Sequence, residues 1–145
     1  LERIKAQLTA QGLEVFDPWE QQQFAPQLEA AFAQPDHALR VAAFQSVAQQ
    51  IGACNAAGIR DAQYLLAVLD GAEIDSGTAA EVGFASALGK RCYGLRTDLR
   101  DSGDFVGVPV NLQVLHFIER SGGTLFRSIA AIQLPALSSE SLTLG

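Results

Sequence analysis

The sequence predicts an α/β protein, a doubly wound parallel sheet with helices flanking it, and three observations carry that prediction. The run Tyr64-Leu65-Leu66-Ala67-Val68-Leu69 is continuously apolar over the length of a strand buried on both faces, as strands of parallel sheets are. Helix-like and strand-like segments alternate along the chain. The segment from Asp70 to Gly83, which gathers acidic residues and glycines, starts where the apolar run stops. In open α/β sheets the ligand crevice lies beyond the carboxyl ends of the strands. Asp70, Gly71, Ser76 and Gly77 are therefore expected to floor a substrate pocket.

Each element follows in order. Glu2 to Gln11 is helix-like, with Ile4 and Leu8 on one face and Gly12 as its stop, and Leu13-Glu14-Val15-Phe16 is a short strand ended by Asp17-Pro18. Trp19 to Pro35 is rich in Gln and Ala and has no assignable period. Asp36 caps a long helix with Leu39, Ala43, Val47 and Ile51 at four-residue spacing, ending near Gly58. After the strand at 64–69, Thr78 to Leu88 reads as a helix closed by Gly89, and Arg91 to Leu95 as a further strand. A polar loop runs to Pro109, and Asn111 to Arg120 is helical. Ser121-Gly122-Gly123 breaks that helix, Thr124 to Phe126 is a last strand, and the tail containing Pro135 is expected to be helical or irregular.

The opening helix would normally cross over from an earlier strand. A doubly wound sheet of order 2-1-3-4-5 keeps its first strand near the centre, and losing it leaves a hole of roughly 10 Å. The chain therefore predicts an absent first strand, with the hole filled by upstream residues or by a strand of another chain.

Composition narrows the function. The chain has 145 residues, of which 48% are hydrophobic and 18% charged, values that suit one globular domain spanning 1–145 and exclude disorder. A formal charge of −6 supplies no basic surface for a nucleic-acid polymer, although a nucleoside-sized ligand stays open. Cys54 and Cys92 lack CxxC or Cys/His spacing, so they read as reduced thiols. His37 and His116 have no partners at metal-ligand spacing. No apolar run reaches the roughly 18 residues of a membrane span, and no signal segment opens the chain, so a cytoplasmic setting is expected.

The runs Asp61-Ala62, Ala67-Val68-Leu69-Asp70-Gly71, Asp75-Ser76-Gly77-Thr78-Ala79-Ala80-Glu81-Val82-Gly83-Phe84-Ala85, Leu88-Gly89-Lys90 and Gly94-Leu95-Arg96-Thr97-Asp98-Leu99-Arg100, with Val110-Asn111-Leu112 beyond them, resemble the nucleoside 2-deoxyribosyltransferase family. The resemblance covers about Asn55 to Gly123 and, more loosely, Gly12 to Pro18. It implies a flavodoxin-like fold and base exchange on a 2'-deoxynucleoside through a covalent deoxyribosyl-enzyme, with a free nucleobase as the second substrate and no metal or organic cofactor. It also implies that Glu81 is the nucleophile, that Asp75 is the acid, and that Asn111 is lent by a neighbouring subunit to the 5' side of the sugar, in a homo-oligomer with shared sites. Asn55 stands near where some members carry a further Asp, so hydrogen bonding without charge is expected of it.

The residue types suit that chemistry. Cleaving an N-glycosidic bond with retention needs one carboxylate to attack the anomeric carbon and another group to manage the proton on the base. Placed in the first turn of its helix, Glu81 would be held ionised by about 0.3 to 1 kcal/mol through the helix dipole. Like-charge repulsion with a close Asp75 would raise one apparent pKa of the pair. Plainer readings exist. Thr78 to Glu81 has the form of a capping box, Asp75-Ser76-Gly77 that of a simple turn, and Asp98 with Arg100 that of a structural ion pair. Hydrolysis of a deoxynucleoside or its 5'-phosphate, and nucleotide binding without turnover, are the alternatives to transfer.

Overall fold

A computed structural model describes residues 1–135 in full and residues 141–144 as backbone. Helix α1 (Glu2–Thr9) buries Ile4 and Leu8, the two residues its period selects, and ends before Gly12, which takes φ +79°. Strand β1 (Glu14–Phe16) follows. The stretch without a period forms two short 3-10 turns, Pro18–Glu20 and Gln22–Phe24, and helix α2 (Ala25–Ala33). Its Ala- and Gln-rich composition favours helix, yet α2 buries Ala31 alone, which is why no apolar face marks it in the sequence.

Helix α3 (His37–Asp61) is capped by Asp36, whose Oδ1 accepts from the Leu39 N–H at 2.9 Å. It runs one turn beyond its expected stop at Gly58. That glycine is a packing residue: a Cβ there would lie 2.5 Å from the Phe16 ring. Strand β2 (Tyr64–Val68), helix α4 (Ser76–Ala87), strand β3 (Arg91–Leu95), helix α5 (Leu112–Arg120) and strand β4 (Leu125–Phe126) complete the expected alternation.

The stretch from Arg127 to Pro135 is irregular apart from one 3-10 turn, Ile129–Ala131, as the sequence suggests, but a strand that it does not suggest, β5 (Ser141–Leu144), follows. The sheet has the order β1-β5-β2-β3-β4 and every pairing is parallel. This is the doubly wound arrangement with one difference of connectivity. The place between β1 and β2, where the sequence reading expects an upstream segment or a strand of another chain, is occupied by β5. Glu14 pairs with Ser141 and Tyr64 with Leu142, so β5 is what joins β1 to the rest of the sheet.

Alternation along β2 explains why both faces are covered. Tyr64 and Leu66 point into a core shared with Ile4, Leu8 and Tyr93, while Leu65 and Ala67 point into a second core with Val82, Val114 and Ile118. A fully enclosed Leu66 contributes roughly 1.5–3 kcal/mol by leaving water. Two apolar layers thus hold the carboxyl ends of β2 and β3 rigid, and those ends carry the loops that build the site.

Candidate active site

The ends of β2 and β3 are tied by a reciprocal set of hydrogen bonds. Asp70 accepts from the Thr97 N–H at 2.6 Å, the Asp98 N–H at 2.8 Å and the Thr97 hydroxyl at 2.8 Å. Burial pushes its pKa up, but these hydrogen bonds and the charge of Arg96 outweigh that and hold the carboxyl below its usual value. In return, the fully buried Arg96 guanidinium donates to the carbonyls of Leu69, Gly71 and Arg100. Asp98 and Arg100 form the ion pair expected of them. Asp70 and Gly71 are thus joined to the neighbouring loop, and neither lines the cleft that holds the carboxylate pair.

Helix α4 starts earlier than its sequence period suggests. Its N-cap is Asp75, whose Oδ2 accepts from the Thr78 N–H at 3.0 Å, so Glu81 sits in the second turn and no capping box forms. The dipole has less hold on Glu81 there than in the first turn. Ser76 opens the helix, is exposed, and does not line the cleft of the carboxylate pair. Gly77 is required by its neighbour: a Cβ would stand 2.9 Å from Asp75 Oδ2.

Asp75 and Glu81 line one cleft of about 250 Å³, together with Gly77, Thr78, Asn55 and Trp19. Glu81 is half-buried, and its pKa is raised, first by loss of water around the carboxylate and then by the charge of Asp75. Asn55 projects from α3 and accepts through Oδ1 from Gln21 Nε2 at 2.6 Å. Asn55 and Glu81 also border a second, more apolar groove of about 240 Å³ that includes Ala56, Ile59 and Phe84, and Arg60 stacks over the Phe84 ring at 5.1 Å from its centroid.

Sequence reasoning missed Trp19. It is 88% exposed yet stands at the cleft, held by Asp17 Oδ1, which accepts from the Trp19 N–H at 2.9 Å. Asp17 is buried, and Lys5 Nζ lies 2.5 Å from its Oδ2 and 2.5 Å from Glu20 Oε1. The available signal was position: Asp17-Pro18-Trp19 follows the carboxyl end of β1, where the crevice rule places ligands.

Asn111 lies elsewhere. It caps α5, its Oδ1 accepting from the N–H groups of Gln113 and Val114 at 3.0 and 3.3 Å, the plain capping role its residue type allows. It lines a different cleft of about 410 Å³ with Glu73, Ile74, Ala79, Ser102 and Val114. Ala79 and Glu81 are two positions apart on α4 and so face directions roughly 160° apart, which puts the helix between the two clefts. Among the described residues, no group of three or more His, Cys, Asp and Glu side chains is placed to hold a metal. No helix among them is long and apolar enough to cross a membrane. Burial pushes the Cys92 thiol up to about 11, with a hydrogen bond from Ser121 opposing it, so this thiol stays protonated.

A doubly wound sheet whose crevice gathers a desolvated Glu, a helix-capping Asp, an amide and an exposed indole is suited to nucleophilic and proton-transfer chemistry on a small ring-bearing ligand. The chain belongs to the nucleoside 2-deoxyribosyltransferase family, whose model matches residues 1–113 and so takes in Asn55, Asp75, Glu81 and Asn111. No curated protein matches it.

Proposed function

We propose that this protein transfers a 2-deoxyribosyl group from a 2'-deoxynucleoside to a free nucleobase, as a cytoplasmic enzyme of nucleoside salvage. The observation that carries the reading is the cleft that Glu81 and Asp75 share with Trp19. A Glu81 oxygen attacks the anomeric carbon, the bond from that carbon to the base nitrogen breaks, and the leaving base takes a proton through Asp75. The incoming base then attacks the same carbon, its proton returns by way of Asp75, and the Glu81 carboxylate leaves. Each half inverts the carbon, so the exchange retains configuration. A 2'-deoxy sugar has no electron-withdrawing hydroxyl beside the developing cation, and one desolvated carboxylate is a sufficient nucleophile. Trp19 supplies an aromatic face for a base, as indole rings do for planar π systems.

The sharing of sites between subunits belongs to the same proposal. Asn111 stands outside the cleft of its own chain, so it would reach the sugar only from a second copy.

The test is intact-mass spectrometry after mixing with a slow 2'-fluorinated nucleoside, alongside chromatography of deoxyinosine and adenine after incubation with the protein. The wild type gains one sugar adduct and makes deoxyadenosine, and Glu81→Ala loses the adduct and on the order of 10³ in exchange rate. An adduct that persists in Glu81→Ala removes Glu81 from the nucleophile's role. Free base without new nucleoside would instead identify a hydrolase using the same carboxylates.

A further inference from the structure

Asn55 is an amide with two faces, and the structure has committed one of them. Its Oδ1 accepts from Gln21 Nε2 at 2.6 Å, while its Nδ2 has no hydrogen-bond partner among the described residues. The orientation of the pair is set by what is buried behind it. Gln21 Oε1 is enclosed without a partner. Turning both amides over would put the Gln21 NH₂ in that place, stranding a group with two donors instead of one acceptor. Unpaired buried N–H groups are rarer than under-satisfied carbonyls. Gln21 itself is held between the two 3-10 turns that follow β1, the first of which is anchored by Asp17.

Resting on the base-exchange reading above, we infer that Gln21 fixes Asn55 as a hydrogen-bond donor toward the cleft, so that the enzyme prefers 6-oxopurines to adenine as acceptor bases. The chemistry is that of base-edge reading. An Asn that pairs with adenine donates to N7 and accepts from the 6-amino group, and so needs its carbonyl oxygen. In Asn55 that oxygen already serves Gln21. A 6-oxopurine presents two acceptors, N7 and O6, to which the free N–H groups of Nδ2 can donate. Asn55 and Trp19 line the cleft beside Glu81 and Asp75, which is where a base stacked on the indole would show that edge. Gln21 does not line the cleft; it is a positioning residue that acts through Asn55.

The experiment compares hypoxanthine with adenine, which differ chiefly in O6 against the 6-amino group, as acceptors for one deoxynucleoside donor. Isothermal titration of each free base into the wild type and variants runs alongside it. The wild type should favour hypoxanthine in kcat/KM by on the order of 10-fold, the size of one good base-edge contact. In Gln21→Met the ratio should fall toward one, because Asn55 is then free to turn. In Gln21→Glu it should move in favour of adenine, because a carboxylate at 21 draws the Asn55 N–H groups to itself and turns Oδ1 into the cleft. A wild type that uses or binds both bases equally, prefers adenine, binds neither, or keeps its preference in folded Gln21→Met overturns the inference. If no base is exchanged while hypoxanthine still binds more tightly than adenine in a Gln21-dependent way, the transferase reading fails and the base-edge assignment stands.

Discussion

At Glu81 function and stability pull in opposite directions. Loss of hydration and the charge of Asp75 raise its pKa above the ordinary 4.5, and the sign of the linkage is set by that direction. Below the unfolded-state value the residue is protonated in both states; as pH rises through the folded value, the folded protein has to ionise a carboxyl its surroundings resist, and stability falls. Glu81→Gln, of the same shape and without the charge, should therefore melt at higher temperature than the wild type at pH 7. The gap should close by about pH 4, and thermal melts across that range check it. A wild type that melts higher than Glu81→Gln at pH 7 would mean that the carboxylate is stabilised in the fold. The same raised pKa predicts that exchange activity falls on the acid side with a midpoint above that of an exposed Glu. The two candidate carboxylates could be picked out in the sequence because they follow a buried strand and because the family resemblance reaches them; their residue types alone fit a helix cap and a turn as well. The partner of Asn55 was not, because the contact joins positions 21 and 55 across two elements.

At the scale of the element, the short turns from Pro18 to Phe24 do the positioning that a longer helix would do elsewhere. They have little apolar area of their own, with Phe24 their one buried side chain. What holds them is polar: Lys5 of α1 bridges Asp17 and Glu20. Hydrogen bonds to Asp17 and then Glu20 raise the Lys5 pKa above its usual 10.5. A lysine shifted in that direction contributes stability throughout the pH range below its unfolded value and loses it as pH rises through the folded one. Lys5→Met should lower the melting temperature at pH 7, with the difference narrowing in strong alkali. Trp19 is the chain's sole tryptophan, so its emission reports the turn directly, and quenching by iodide should change in Lys5→Met. An unchanged melt and an unchanged indole signal would show that the turn stands without Lys5. This stretch escaped sequence reading for the reason it escapes packing, since no residue spacing marks an ion-paired turn. By contrast β2, α3 and α5 announce themselves through a continuous apolar run, an Asp cap and an Asn cap.

For the whole molecule, the separation of Asn111 from Glu81 within one chain makes a definite demand. If sites are shared, mixing inactive Glu81→Ala with inactive Asn111→Ala after partial denaturation and reassembly restores activity, because some pockets receive an intact residue from each parent. No recovery, with both variants folded and subunit exchange shown by mass, would place Asn111 outside the partner's pocket. The exposed side chains of Phe105 and Val106, a few positions before that residue, and of Leu112 beside it are apolar surface that a second copy would cover. The parallel order of the sheet followed from the chain's alternation of elements, but the source of its second strand did not. Ser141-Leu142-Thr143-Leu144 is short, and its partners Glu14–Phe16 and Tyr64–Leu66 lie far back along the chain. A pairing that non-local leaves no local signal. It also sets a timetable. β1 and β2 are both made before β5, so a strand-wide gap stands between them until the residues that close it have been synthesised. The sheet cannot finish while those residues are still inside the ribosome, so from the emergence of β2 until that of β5 the nascent chain shows two unpaired strand edges, the state in which chains are most prone to association with one another and most dependent on chaperones.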